Sequence, residues 1–250
     1  MSQLTNKVAI ITGAAGGLGR TFATTFAKAG AAVACADINI DGAQETAEMI
    51  KSAGGQAIEV MTDVTSKSSA DELVNETLSR FGQLDILVNN AAIYAGLERM
   101  PFWEIDDDMW DRVLAVNVKG IWQMSKSAAP HMFEKGGKII NIASATFYSG
   151  SPGWLHYVAS KGATIGMTRS MARELGDYNV TVNAIAPGFT LTEASLSMMD
   201  DAASYGVNRG AIKRASQTED MVGTALYLAS KASDFVTGQT IVVDGGRQFN

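Results

Sequence analysis

The chain is short of cysteine, histidine and proline, with one, two and four among its 250 residues. A lone thiol, Cys35, excludes a disulfide framework and points to a reducing compartment, here expected to be the cytoplasm. No grouping of Cys and His has metal-ligand spacing, so no metal site is expected. No apolar run approaches the ~18–20 residues that span a bilayer, and no charged-then-apolar leader is expected at the start. Positive charge is also scarce. Twenty Lys and Arg face 26 Asp and Glu, a net charge of −6, which argues against nucleic acid or an anionic membrane as partner. Repeats, linkers and low-complexity stretches are missing too, so residues 1–250 read as one unit.

What the chain does have is alternation. Short apolar runs at 8–11, 32–36, 56–61, 86–89, 138–142, 180–185 and 240–243 are bounded by Gly, Asp or Asn and read as strands. Helical patterns lie between them at about 18–29, 41–52, 67–81, 106–133, 157–176 and 219–229, and the run Ser216 to Glu219 reads as a capping box for the last. Such alternation predicts an α/β fold: a doubly wound, parallel, seven-stranded sheet with helices on both faces. One stretch, about 188–216, breaks the pattern after the sixth strand. That places it at the carboxyl edge of the sheet, where ligands bind in such folds, and we read it as a mobile substrate lid.

The first strand runs into a glycine-rich turn, Thr12 to Gly19, and then a helix. Gly13, Gly17 and Gly19, with Leu18 between the last two, let the backbone approach a pyrophosphate, and the helix start offers free N–H groups. Asp37 closes the second strand, eighteen residues after Gly19. An acid there accepts from the adenosine ribose hydroxyls and repels a 2′-phosphate. Ile38 follows it and Gly16 precedes Gly17, so neither position supplies a cation for that phosphate. These residues predict NAD rather than NADP.

Tyr157 and Lys161 stand four residues apart, with Ser144 thirteen residues before the tyrosine at the end of the fifth strand. On a helix, i and i+4 share a face, roughly 5–6 Å between Cβ atoms. An ammonium beside a phenol lowers its pKa and suits it to general acid–base work. Spacing alone does not decide the matter, because Tyr227 and Lys231 repeat it. Arg214, not a serine, stands thirteen residues before Tyr227, which we read as a core-facing helix residue. His156 and His131 are expected to be structural or solvated.

Together these features resemble the short-chain dehydrogenase/reductase family, in its branch of about 250 residues, over the whole chain. Thr12 to Gly19 matches its cofactor loop, Asp63-Val64 the pair beside the adenine, and Asn89-Asn90-Ala91-Ala92 the element after the fourth strand, with Ala92 where the family has glycine. Asn117, Ser144, Tyr157 and Lys161 match its catalytic tetrad. Pro187, Gly188, Thr190 and Thr192 fall in the loop that closes on the nicotinamide. The resemblance implies a Rossmann-type fold, a hydride transfer with Tyr157 as acid–base, Ser144 holding the substrate oxygen, Lys161 on the nicotinamide ribose and Asn117 fixing a water. It also implies a homotetramer built on the helices at about 106–133 and 157–176.

Three segments should line the substrate pocket: Ile93 and Tyr94; Ala145, Phe147, Tyr148, Trp154 and Leu155; and Phe189, Leu196, Met198 and Met199. That supply is apolar and aromatic, with few charges, and suits a compact hydrophobic ligand. The segment from Ser144 to Tyr157 and the expected lid are similar to those of bacterial 1-phenylethanol-type dehydrogenases of the family. The expected reaction is therefore interconversion of an aryl or cyclic secondary alcohol and its ketone. A 3-oxoacyl-thioester reductase is an alternative, though NADPH and a basic face would suit it better. A sugar dehydrogenase would need more polar anchors, and a non-catalytic NAD-binding scaffold would not need a tuned phenol.

Overall fold

The computed structural model describes residues 3–249, without the side chain of Met198. Its main sheet holds β1 (Val8–Thr12), β2 (Ala32–Asp37), β3 (Gln56–Met61), β4 (Ile86–Asn89), β5 (Gly137–Ile142), β6 (Val180–Pro187) and β9 (Thr240–Val243). All pairs are parallel, in the order β3-β2-β1-β4-β5-β6-β9. The central strands β1, β4 and β6 are buried along their whole length, which is why they read as continuous apolar runs, while the edge strands β3 and β9 are partly exposed. Side chains alternate between two cores. Ala9 and Ile11 of β1 join Phe22 and Phe26 on one face, while Ile10 joins Leu73, Leu87 and Met124 on the other. Phe22 and Phe26 are fully buried, each contributing roughly 1.5–3 kcal/mol.

Nine α-helices cover the sheet and its edge: α1 (Gly17–Lys28), α2 (Ile40–Ser52), α3 (Lys67–Phe81), α4 (Asp107–Leu114), α5 (Gly120–Ala128), α6 (Thr146–Ser149), α7 (Leu155–Leu175), α8 (Glu193–Met198) and α9 (Glu219–Ala229) among the described residues. Helices α1, α2 and α9 pack on the first core; α3, α5 and α7 pack on the second. After β3 the chain crosses back to place β4 on the far side of β1. Strand order therefore reverses between β1 and β4, and a crevice opens there at the carboxyl ends of the strands.

Three expectations need correction. The helix expected over 106–133 is not continuous: a π turn, Ala115–Lys119, separates α4 from α5, and a 3-10 turn carrying Pro130 ends the run. Tyr227 is 38 % exposed rather than core-facing, because α9 buries its other side through Met221, Ala225 and Leu228. Ser216 and Gln217 do not cap α9. They form a short strand, β8 (Ser216–Gln217), paired with β7 (Thr190–Leu191). The capping box sits at α8 instead, where Thr192 Oγ1 accepts from Ser195 N–H at 3.1 Å and Ser195 Oγ accepts from Thr192 N–H at 2.8 Å.

Candidate active site

The glycine turn is held by the loop after β4. The Thr12 hydroxyl accepts from the backbone N–H of Asn90 and of Ala91, both at 3.0 Å, and donates to the Val88 carbonyl. In return the Asn90 amide donates to the carbonyls of Thr12 at 3.0 Å and Gly13 at 3.2 Å. Gly19 packs so closely that any Cβ would overlap the Gly13 carbonyl oxygen. Gly17 has φ +50°, and Thr192 lies 3.4 Å from where its Cβ would stand. Helix α1 starts at Gly17 with no side chain capping it, so its first N–H groups face the cleft. These are the features of a dinucleotide phosphate cradle, and they fit that group.

Asp37 lies at the end of β2. One carboxylate oxygen accepts from Ala15 N–H and the other from Asn39 N–H, both at 2.9 Å. The acid therefore shapes the glycine turn as well as facing its neighbours. Arg20, which bonds into the same turn, is committed to Thr46, the Ala15 carbonyl and Glu45. Asp63 caps its own loop, accepting from Thr65 N–H at 2.9 Å, and Val64 is buried against Gly120. Asn39, not Asp37, Asp63 or Val64, is the residue of this end that lines the cleft.

The cleft, of about 710 Å³, runs from Gly17 and Leu18 past Asn90 to Ser144, Tyr157 and Lys161, and is closed by Pro187, Gly188, Thr190 and Thr192. Ser144 stands two residues past β5, where its neighbours Ala143 and Ala145 hydrogen-bond the carbonyls of Ile185 and Pro187 along β6. Its hydroxyl accepts from Thr146 N–H at 3.2 Å and meets the Thr146 hydroxyl at 2.9 Å. Tyr157 and Lys161 share one face of α7. Both side chains are buried.

The electrostatics differ from expectation. Burial, not Lys161, dominates the Tyr157 phenol and pushes its pKa up, while a hydrogen bond with Ser144 pulls it back. Lys161 donates to the Ile142 carbonyl at 2.8 Å, and burial pushes its own pKa down to about 8. His156 is buried and lowered by burial, with Nδ1 accepting from Tyr157 N–H at 2.9 Å, as expected of a structural histidine. His131 is exposed.

Asn117 sits on the π turn. Its Oδ1 accepts from Ile93 N–H at 2.7 Å, and its amide donates to the Ile93 carbonyl at 3.1 Å and to Ser160 Oγ at 3.1 Å. The widened turn aims the side chain at the loop after β4, in keeping with the habit of π turns to mark functional positions. Ser160, which the sequence did not single out, donates onward to the Tyr157 carbonyl at 2.7 Å.

The expected pocket residues divide. Tyr94, Trp154 and Tyr157 pack together with ring centroids 5.7–5.9 Å apart, and Tyr94, Trp154 and Phe189 all line the cleft. Phe147 and Tyr148 do not. Helix α6 turns Phe147 out to lie against Gly162, and Tyr148 packs on Ala143, Ile165 and Ala184. Met199 is off the lining, Leu155 and Leu196 are exposed, and the side chain of Met198 lies outside the described residues. The expectation of few charges also fails: Arg99, Arg209 and Arg247 reach the cleft from three distant parts of the chain.

A family model described as Enoyl-(Acyl carrier protein) reductase matches residues 13–248. The chain is 35 % identical over 247 residues to a 3-oxoacyl-[acyl-carrier-protein] reductase FabG of Thermotoga maritima, covering 98 % of each. It is 36 % identical over 244 residues to a (2S)-[(R)-hydroxy(phenyl)methyl]succinyl-CoA dehydrogenase subunit BbsD of Thauera aromatica, covering 97 % of this chain and 96 % of that one. A short-chain type dehydrogenase/reductase from Mycobacterium marinum superposes with a TM-score of 0.91 at 32 % identity, covering 98 % and 96 % of the two chains. The chain belongs to the short-chain dehydrogenase/reductase family. It is an oxidoreductase with that family's seven-stranded fold.

Proposed function

We propose that the protein interconverts a 3-oxoacyl thioester and its 3-hydroxy form, with NAD preferred over NADP. The observation that carries this reading is Tyr157 at the cleft wall, where Ser144 also lines the cleft and burial raises the phenol's pKa so that it stays protonated. Reducing a ketone needs that form. The Tyr157 hydroxyl gives its proton to the carbonyl oxygen, Ser144 donates to the same oxygen and positions it, and Lys161 keeps the phenol oriented. A nicotinamide bound in the cleft would supply the hydride in this direction and accept it in the other. Thr192, Thr190 and Gly188 would hold that ring, Gly13 to Gly19 the pyrophosphate and Asp37 the ribose. Asp37 beside the glycine turn, with Arg20 there paired to Glu45, supports NAD. The relatives named for 3-oxoacyl carriers support the thioester, in preference to the 1-phenylethanol-type substrate.

An aryl alcohol or ketone is the second reading, favoured by Tyr94, Trp154 and Phe189 on the cleft wall. The BbsD relative is named for a hydroxy(phenyl)methyl group on a succinyl thioester, which unites both chemistries in one molecule. We further propose a cytoplasmic homotetramer in which about 188–216 acts as a lid. Exposed Trp122 on α5 and Leu155 at the start of α7 support the assembly. Turnover of acetoacetyl-CoA, acetophenone and 1-phenylethanol with each nucleotide tests the substrate reading. Activity with acetoacetyl-CoA and NADH supports it; activity with acetophenone alone favours the second reading. Light scattering tests the tetramer, and protease protection of 190–210 by ligand tests the lid.

A further inference from the structure

The cleft contains a cationic cluster that the reaction as proposed does not use. Arg99 comes from the loop after β4, Arg209 from the 3-10 turn Val207–Arg209, and Arg247 from the tail after β9; all three line the cleft onto which Tyr157 opens. They converge on Tyr205. Arg99 donates to its hydroxyl at 3.1 Å, and the guanidinium carbons of Arg209 and Arg247 stand 5.8 and 5.7 Å from its ring centroid.

Arg99 is already committed. It donates to the Pro152 carbonyl at 2.7 Å and lies 4.2 Å over the Trp154 ring. Arg209 and Arg247 have no ion-pair partner among the described residues. Two carboxylates reach the same cleft. Asp244 is used by the backbone N–H groups of Gly246, Arg247 and Gln248, at 2.9, 3.0 and 2.8 Å, and Glu193 is exposed in the first turn of α8. The backbone makes room for this arrangement: Gly206 has φ +70°, and the Arg247 guanidinium occupies the space its Cβ would need.

Gathering cations on one concave wall is unfavourable unless an anion joins them, and guanidinium forks match carboxylate and phosphate oxygens. The cluster is also close to the chemistry. Arg99 is 4.2 Å from the Trp154 ring, and that ring is 5.9 Å from Tyr157. Arg209 and Arg247 line the same cleft as Tyr157, so a substrate with its carbonyl at Tyr157 can extend a second group along the cleft to the arginines. We propose that Arg209 and Arg247, set around Tyr205 with the help of Arg99, form an anion subsite for a carboxylate or phosphate of the substrate, so that anionic carbonyl compounds are selected over neutral ones. This deepens the proposed function and rests on its placing of the substrate carbonyl at Tyr157.

The test compares wild type with an Arg209→Gln, Arg247→Gln double variant on benzoylacetate, its neutral ethyl ester and acetoacetyl-CoA. The expected result is a wild-type kcat/KM at least 10-fold higher for an anionic probe than for the ester, with that preference falling at least 10-fold in the variant. A fall confined to benzoylacetate identifies a carboxylate subsite, and one confined to acetoacetyl-CoA a phosphate subsite. Calorimetric binding of the same probes needs no turnover. Weaker anion binding by the variant, with no ketone reduced by wild type, would keep the subsite and reject the reaction. Raising salt on wild type alone serves if the variant does not fold: KM for the anionic probe should rise several-fold while that of the ester stays level. Equal preference in both proteins, or an anionic KM indifferent to salt, would overturn the proposal.

Discussion

The ammonium nitrogen of Lys161 stands 5.5 Å from the centroid of the Tyr157 ring while donating to the Ile142 carbonyl at the end of β5. One bond thus pins the cation beside the phenol. Tyr157 in turn touches Tyr94 and Trp154, so the phenol is fixed by packing on one side and by the end of the sheet on the other.

Replacing Tyr157 by Phe removes the proton donor and little else, since the ring contacts remain. We expect kcat to fall at least ~100-fold, the low end for one general acid–base group, with the NADH dissociation constant within about 3-fold of wild type. Steady-state kinetics and nucleotide titration check this, and an active Tyr157→Phe enzyme would remove the tyrosine from the mechanism.

Lys161 makes stability depend on pH in an unusual direction. Its folded pKa, about 8, lies below the ordinary 10.5. Below pH 8 both folded and unfolded chains carry the charge, and the fold bears the full cost of burying it. Between about 8 and 10.5 the unfolded chain holds more protons, so stability rises with pH, by up to roughly 3 kcal/mol. Cys35, pushed up to about 12 by burial, opposes this above pH 9. Subtracting the urea midpoints of Lys161→Met, which retains Cys35, isolates the lysine. The variant should be the more stable protein at pH 7, and the gap should close towards pH 10. A gap that is constant across that range would contradict the assignment.

Much of this was readable in the residue order. The strand positions followed from short apolar runs between Gly, Asp and Asn, and the turn from Thr12 to Gly19 followed from backbone demands that local sequence must meet. What escaped depended on distant partners. The π turn carries Asn117, which bonds both backbone groups of Ile93, 24 residues away, and no local pattern announces it. Phe147 and Tyr148 follow Ser144 closely in sequence, yet α6 rotates them away from the cleft. Residues 99, 209 and 247 look like scattered surface arginines until the sheet, the 188–216 excursion and the tail are assembled.

Gly19→Ala places a methyl group into the Gly13 carbonyl oxygen. Relief requires the turn or the start of α1 to shift, at a cost of about 1–3 kcal/mol. Urea unfolding should show that loss, and nucleotide affinity should fall at least ~10-fold, worth about 1.4 kcal/mol. Unchanged affinity would mean that the pyrophosphate binds elsewhere.

Asp37→Ala has two separable effects. Losing acceptors for Ala15 and Asn39 N–H should lower stability by about 1–3 kcal/mol. Losing the negative charge should cut the ratio of kcat/KM for NADH over NADPH by at least ~10-fold. A ratio that does not move would assign Asp37 to shaping the turn alone.

Thr12 and Asn90 are 78 residues apart, and their reciprocal bonds tie the end of β1 to the end of β4. Until β4 arrives beside β1, the glycine turn lacks the contacts that fix it. β4 follows β3 in the chain but lies on the opposite side of β1, so this pairing is among the long-range closures that slow folding. A nascent or partly unfolded chain therefore has no half-built nucleotide site to offer. Nucleotide binding should appear in a single step with the native state, and NADH should act as a folding ligand that pulls the last closure to completion.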